Sequence, residues 1–202
     1  MSGAARSPAS AGDQEKESGP CAARNRREWG AAHVEQREIS RKGGETRMQN
    51  VAYYNGKIAP IEEMMVPMND RACYFGDGVY DATCVVNHVP MALDEHIDRI
   101  YRSAGLIEIE IPMEKAEMKR ILLDLVSRVE GDVHFLYWQI TRGVGMRGHA
   151  YSSAGKKPSL WAFVRPSTMR DPYGAYTCIT VEDKRFFYCN IKTINLLPAV
   201  MA

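Results

Sequence analysis

The chain has 202 residues, 45% of them apolar and 25% charged, with a formal net charge of +1 at pH 7. That balance is ordinary for a globular chain and offers no excess of positive charge for a nucleic acid or a membrane surface. No run of eighteen apolar residues exists to span a membrane, and the N-terminus lacks the apolar core of a secretory signal.

Residues 1–47 form the first compositional unit. They hold 9 Lys/Arg, 7 Asp/Glu and only 13 apolar residues, 8 of them alanine. Such a segment cannot offset its ordering entropy by burial, so it reads as a disordered extension. A short helix near 30–41 would be marginal alone. Asp13, Glu15, Glu17 and Glu28 argue against an organellar transit peptide. Three arginines (Arg24, Arg26, Arg27) among these acids are thin material for a nucleic-acid arm, so no nucleic-acid partner is expected.

Regular patterning begins at Met48. Val51–Tyr54, Asn55-Gly56 and Lys57–Ala59 predict a β-hairpin closed by a two-residue turn. Val79–Val86 is rich in β-branched residues and predicts a strand, which Asn87-His88 turns toward another at Met91–Leu93. Asp94 is placed to cap a helix running to about Ala104, with Ile97, Ile100, Tyr101 and Ala104 inward. Pro112 introduces a second helix, whose Met118, Ile121, Leu122, Leu125 and Val129 recur at three- and four-residue spacing until Gly131. Strands are expected at Val133–Thr141, Leu160–Val164, Tyr176–Val181 and Phe187–Ile191. Strands, two helices, then strands again imply an α+β fold. The five cysteines are odd in number and contain no Cys-x-x-Cys pair, which argues against a disulfide framework or zinc site and for a reduced, cytoplasmic compartment.

Several fragments could carry chemistry. Gly143-Val-Gly145-Met-Arg-Gly148 fits a dinucleotide-binding pattern, but the residues after it read as a loop, whereas that mechanism needs a helix N-terminus facing the pyrophosphate. Arg142, Arg147 and His149 offer either a solvated loop or an anion clamp, since a guanidinium can hold a carboxylate with two parallel hydrogen bonds. Phe75–Tyr80 is a glycine-rich turn into a strand. His96 and Arg99, three apart, project from one side of the first helix, where Arg99 could bind a phosphate or pair with Glu95 or Asp98. Lys192 follows an apolar stretch. It must either reach solvent through its stem or act as a desolvated, nucleophilic amine toward an aldehyde.

Phe75–Asp81, Asp94–Ile100, Thr141–Gly143 with Arg147–His149, and Asn190–Leu197 occur in that order. Together they resemble class IV aminotransferases, enzymes of the fold-type IV pyridoxal-phosphate class, and within them the D-amino-acid aminotransferases. The resemblance covers nearly all of 48–202. It implies transamination between D-amino acids and 2-oxo acids on pyridoxal 5'-phosphate, in a homodimer. By the resemblance, Lys192 binds the cofactor covalently and shuttles the substrate proton, Arg99 holds the cofactor phosphate, and Tyr80 lies near the substrate carboxylate. Arg147 and His149 match the Arg-x-His pair that reaches the neighbouring subunit's site and binds that carboxylate. The pair distinguishes this branch from branched-chain L-aminotransferases and from aminodeoxychorismate lyase, the enzyme alternatives.

The expected organisation is an extension at 1–47, a small sandwich-like domain at 48–165, a linker at 166–175, and the opening strands of a larger pseudo-barrel domain at 176–202. Chains of the family continue well beyond the lysine, so the resemblance implies an incomplete form. The acid that pairs with the pyridinium nitrogen would be absent, and a catalytically silent product is the competing expectation.

Overall fold

A computed structural model describes residues 47–150 and 157–202. The expectations for residues 1–46 lie outside the described residues. Asn55 and Gly56 both take positive φ, 46° and 98°, as a two-residue hairpin turn demands. Strand β1 (Val51–Tyr54) accordingly folds back on β2 (Lys57–Ala59). After a 3-10 turn at Ile61–Glu63 comes α1 (Arg71–Phe75), a single helical turn. The Asp70 carboxylate accepts the Ala72 N–H at its start, and Gly76 closes it at φ 61°.

The next elements are β3 (Gly78–Val86), β4 (Val89–Pro90), α2 (Leu93–Leu106) and α3 (Lys115–Ser127). Strands β5 (Val133–Thr141) and β6 (Ser159–Pro166) and a short α4 (Leu197–Met201) complete the chain. The six strands make one antiparallel sheet in the order β2-β1-β6-β5-β3-β4. Helix α2 packs on β3, α3 on β1 and β6, and the two helices on each other. This is the expected α+β arrangement.

Alternation along the strands sends Val79 and Val85 of β3, Leu136, Trp138 and Ile140 of β5, and Leu160 and Val164 of β6 into one core with the helices. From α2 it receives Ile97 and Ile100, and from α3 Met118, Leu122 and Leu125. The other sheet face carries an aromatic row, in which Tyr80, Tyr137 and Phe163 stack with centroids 5.5 and 5.1 Å apart.

Local expectations are corrected at several points. The strand after Asn87-His88 lies at Val89–Pro90, not Met91–Leu93: both turn residues have positive φ (51° and 62°), so pairing resumes at once with Val86 opposite Val89. Helix α2 is not capped by Asp94. The cap is Ala92 in left-handed conformation, and Asp94 sits in the first turn, where its charge favours the helix dipole. Tyr101 is half-buried and packs against the core as expected, its hydroxyl donating to the Met113 carbonyl, and Ser103 joins the buried face.

The strands expected at Tyr176–Val181 and Phe187–Ile191 do not form. Residues 167–190 run irregularly, with Ile179 83% and Phe187 94% exposed. A β-rich composition makes a strand only where a neighbour completes its hydrogen bonds and covers its apolar side chains, and no strand runs beside this segment among the described residues.

The contrast sets a test of where stability resides. Leu122→Ala, at 0% exposure, should lower the denaturant-unfolding free energy by about 2–5 kcal/mol. Ile179→Ala should change it by no more than about 0.5 kcal/mol, as exposed substitutions do.

Candidate active site

The site grows from the first residues of β3. Gly78 passes so close to β5 that a Cβ there would lie 2.5 Å from the Ile140 carbonyl oxygen. On its other edge β3 is paired by β4 only at Val85 and Val86, which leaves the edge at its first residues to another stretch of chain. Residues 192–195 return along it. The Tyr80 N–H donates to the Lys192 carbonyl (3.0 Å) and the Ile194 N–H to that of Gly78 (3.2 Å). The Asn195 side chain donates to the Gly76 carbonyl (2.8 Å), and the Lys192 N–H reaches Ser103 Oγ (3.3 Å). Main-chain bonds therefore fix where Lys192 starts, and its ammonium lies 4.1 Å from the centroid of the Tyr80 ring, within cation–π range. A cleft of about 340 Å³ opens here, lined by Tyr80, Arg99, Ser103, Lys192, Thr193 and Asn195 among others.

Arg99 is held from beneath. Asp81 follows Tyr80 and so points to the opposite, helix-covered face, where it is 0% exposed. Its oxygens accept Nε and Nη2 of Arg99 at 2.8 and 2.7 Å. His96 Nδ1 lies 2.8 Å from Asp81 Oδ1 and 2.9 Å from Arg99 Nη2. A proton on Nδ1 is donated to the carboxylate; in the other tautomer Nδ1 accepts from Arg99. Burial pushes the Asp81 carboxyl up, but hydrogen bonds from Arg99, the Ala82 N–H and His96 outweigh it and leave the group below the ordinary carboxylate range. The same hydrogen bond to Asp81 reinforces the charge on Arg99. Nη1 of Arg99 has no hydrogen-bond partner among the described residues. The surface pairing of Arg99 with Glu95 or Asp98 is thus replaced by a buried one, and Asp98 pairs with Lys115 instead.

Of the five candidates, Tyr80, Arg99 and Lys192 converge on the cleft. Arg147 and His149 do not line it. They sit exposed on the loop after β5, with the Arg147 guanidinium 5.4 Å and the His149 ring 5.3 Å from the Phe75 ring. Arg142 proves to be buried scaffold. It pairs with Asp77 (2.9 Å) and donates to the carbonyls of Ile107 and Glu108. The Gly143–Gly148 pattern leads into no helix among the described residues. Asp81 is the residue missed from sequence. Its signal was available: an acid in phase with Val79 and Val85 on an apolar strand face requires a buried cation.

The model of the amino-transferase class IV family matches residues 78–202. The chain belongs to the class IV aminotransferase family. Among curated relatives, the D-alanine aminotransferase of Bacillus licheniformis is 37% identical over 150 residues, covering 73% of this chain and 53% of the relative. That of Staphylococcus aureus is 32% identical over 154 residues, covering 74% and 54%. The chain thus spans about half the length of these class IV relatives. Among solved structures, the branched-chain amino acid aminotransferase from Escherichia coli superposes with a TM-score of 0.52. It is 18% identical over 59% of this chain and 42% of that one, a likeness of fold alone.

The Asp81 cluster carries a pH-dependent prediction. Its folded pKa is depressed, so its stabilisation is complete above the unfolded value of about 3.9 and is lost as pH falls through the lower folded value. Asp81→Asn should cost about 3 kcal/mol at pH 7, the low end for breaking a buried pair because the Arg99 side chain is 39% exposed. It should also flatten the acid limb of stability against pH, measured by urea unfolding from pH 2 to 7.

Proposed function

We propose that this protein acts in pyridoxal-phosphate-dependent transfer of amino groups between D-amino acids and 2-oxo acids. The observation that carries the reading is the convergence of an amine, a guanidinium and an aromatic face on one cleft: Lys192, Arg99 and Tyr80. This donor set fits the cofactor. Lys192 would bind its aldehyde carbon covalently, Arg99 would hold its phosphate, and Tyr80 would stand at the substrate. When bound, the cofactor supplies an electron sink for charge developing at the substrate Cα.

The chain's own residues have separable tasks in this reading. The Lys192 amine accepts the Cα proton and returns it, its backbone held by the Tyr80 and Ser103 hydrogen bonds. Asp81 and His96 orient Arg99 while Asp81 keeps it charged. Arg147 and His149 hold a substrate carboxylate in the site of a second subunit, so the working form is a homodimer. The likeness to curated D-alanine aminotransferases supports the substrate class. The proposed organisation is a small domain at 48–165, a linker at 166–175 and the opening of the cofactor domain at 176–202. Strands β1 to β6 all fall within 51–166, which favours the first boundary. The four described cysteines are exposed free thiols, in keeping with a reducing, cytoplasmic setting.

Incubation with pyridoxal phosphate, borohydride reduction and peptide mapping test the cofactor reading. Label should concentrate on Lys192 over the other lysines and fall several-fold in Arg99→Met; uniform labelling of surface lysines overturns it. Turnover of D-alanine with 2-oxoglutarate, abolished by Lys192→Ala, is the expected activity. Turnover of L-leucine alone would instead place the protein with the branched-chain enzymes, and release of pyruvate from aminodeoxychorismate with the lyases. A Lys192 label without any turnover would mean a silent binding form.

A further inference from the structure

Helix α1 has no part in the cleft, yet every group on one of its faces is engaged. Arg71 and Phe75 are four residues apart on a single helical turn and so project together. Arg71 is 3% exposed, and its Nε pairs with Asp77 at 2.7 Å. It also donates to the carbonyls of Gly148 (2.5 Å) and His149 (3.4 Å). Its guanidinium carbon lies 4.9 Å from the Phe75 centroid. The same Phe75 ring lies 5.4 Å from the Arg147 guanidinium and 5.3 Å from the His149 ring. Asp70 caps α1 and also accepts the Thr141 hydroxyl at 2.9 Å, which ties the helix to the end of β5 where the loop begins.

From this geometry we propose that Phe75 is a positioning residue for the Arg147–His149 anion clamp, acting as an aromatic platform that holds both side chains, with Arg71 fixing the main chain beneath them. The inference rests on the clamp role given to Arg147 and His149 in the proposed function. The physical need is plain. Both clamp residues are exposed, and a long arginine in solvent loses much of its binding free energy to the entropy of being held still. A ring face offers a guanidinium attraction without consuming its hydrogen-bond donors, so Arg147 stays able to bind a carboxylate with two parallel bonds. Asp77 pairs with both Arg71 and Arg142, so these two buried guanidiniums are committed to the scaffold and Arg147 alone of the three is exposed to an anion.

The test uses the full chain as wild type, Phe75→Leu and Phe75→Tyr, with thermal melts confirming that each is folded. The His149 ring resonances should lose their ring-current shift in Phe75→Leu and keep it in Phe75→Tyr. Tryptic cleavage after Arg147, referenced to cleavage after the exposed Arg170, should rise about two- to fivefold in Phe75→Leu only. Titration with pyruvate, followed at His149, should show a dissociation constant raised by a similar factor in Phe75→Leu and restored in Phe75→Tyr. Should Phe75→Leu fail to fold, Arg71→Lys, which keeps the charge but not the forked geometry, provides the same cleavage readout. Unchanged His149 shifts and unchanged cleavage overturn the platform. A wild-type spectrum indifferent to pyruvate overturns the clamp itself, and the shift and cleavage data then still decide whether Phe75 positions the pair.

Discussion

A carboxylate with no exposure to water sits between the sheet and α2, and it cannot remain there alone. Burying an unpaired charge costs several kcal/mol even after relaxation, so Asp81 dictates the placement of the cations around it. Arg99 must lean down from α2 rather than extend along the surface, and His96 must turn inward beside it. The consequence for the cleft is that its guanidinium is set by two hydrogen bonds to a rigid strand. Because Tyr80 and Asp81 are consecutive in β3, the ring facing Lys192 and the anchor of Arg99 share one backbone. Their relative placement is a property of pleat geometry, not of side-chain adjustment.

The turn before that strand works in two directions. Gly76 and Gly78 receive the returning 194–195 segment through their carbonyls, while Asp77 between them binds Arg71 and Arg142 on the side of the loop after β5. Three successive residues thus join the lysine-bearing segment and the loop after β5 to the same point of the sheet. Compactness explains the glycines here: a Cβ at position 76 would meet the Asn195 amide at 2.5 Å, and one at 78 would meet β5.

Much of this was legible wherever local chemistry decides the outcome. Asn55-Gly56 announced a hairpin because few other pairs tolerate two positive φ values, and β5 obeyed its bounds because both ends carry breakers. The spacing of Met118, Ile121, Leu122 and Leu125 gave the inner face of α3. Sequence reading failed where an element depends on something far away. Tyr176–Val181 has the composition of a strand but no strand beside it among the described residues. Arg142 read as a loop cation because its acid, Asp77, is 65 residues distant. Ala92 caps α2 with its backbone alone, a role no side chain advertises. For the site, order-of-motif reading gathered Tyr80, Arg99 and Lys192, while the support beneath Arg99 became visible only once Asp81 was assigned to its strand face.

The hydrogen bonds that hold the lysine have an energetic character of their own. Asn195 and Gly76 are 119 residues apart, so the cleft is closed over a long loop. Such a contact is rewarded only after a long loop has closed, as is the β1–β6 pairing of Val51 with Val164. In reverse, the 192–195 segment can detach by breaking a handful of bonds while the β3–β5–β6 pairings stay intact. The segment that carries Lys192 therefore has the character of a locally opening unit, separate from the global stability of the sheet beside it.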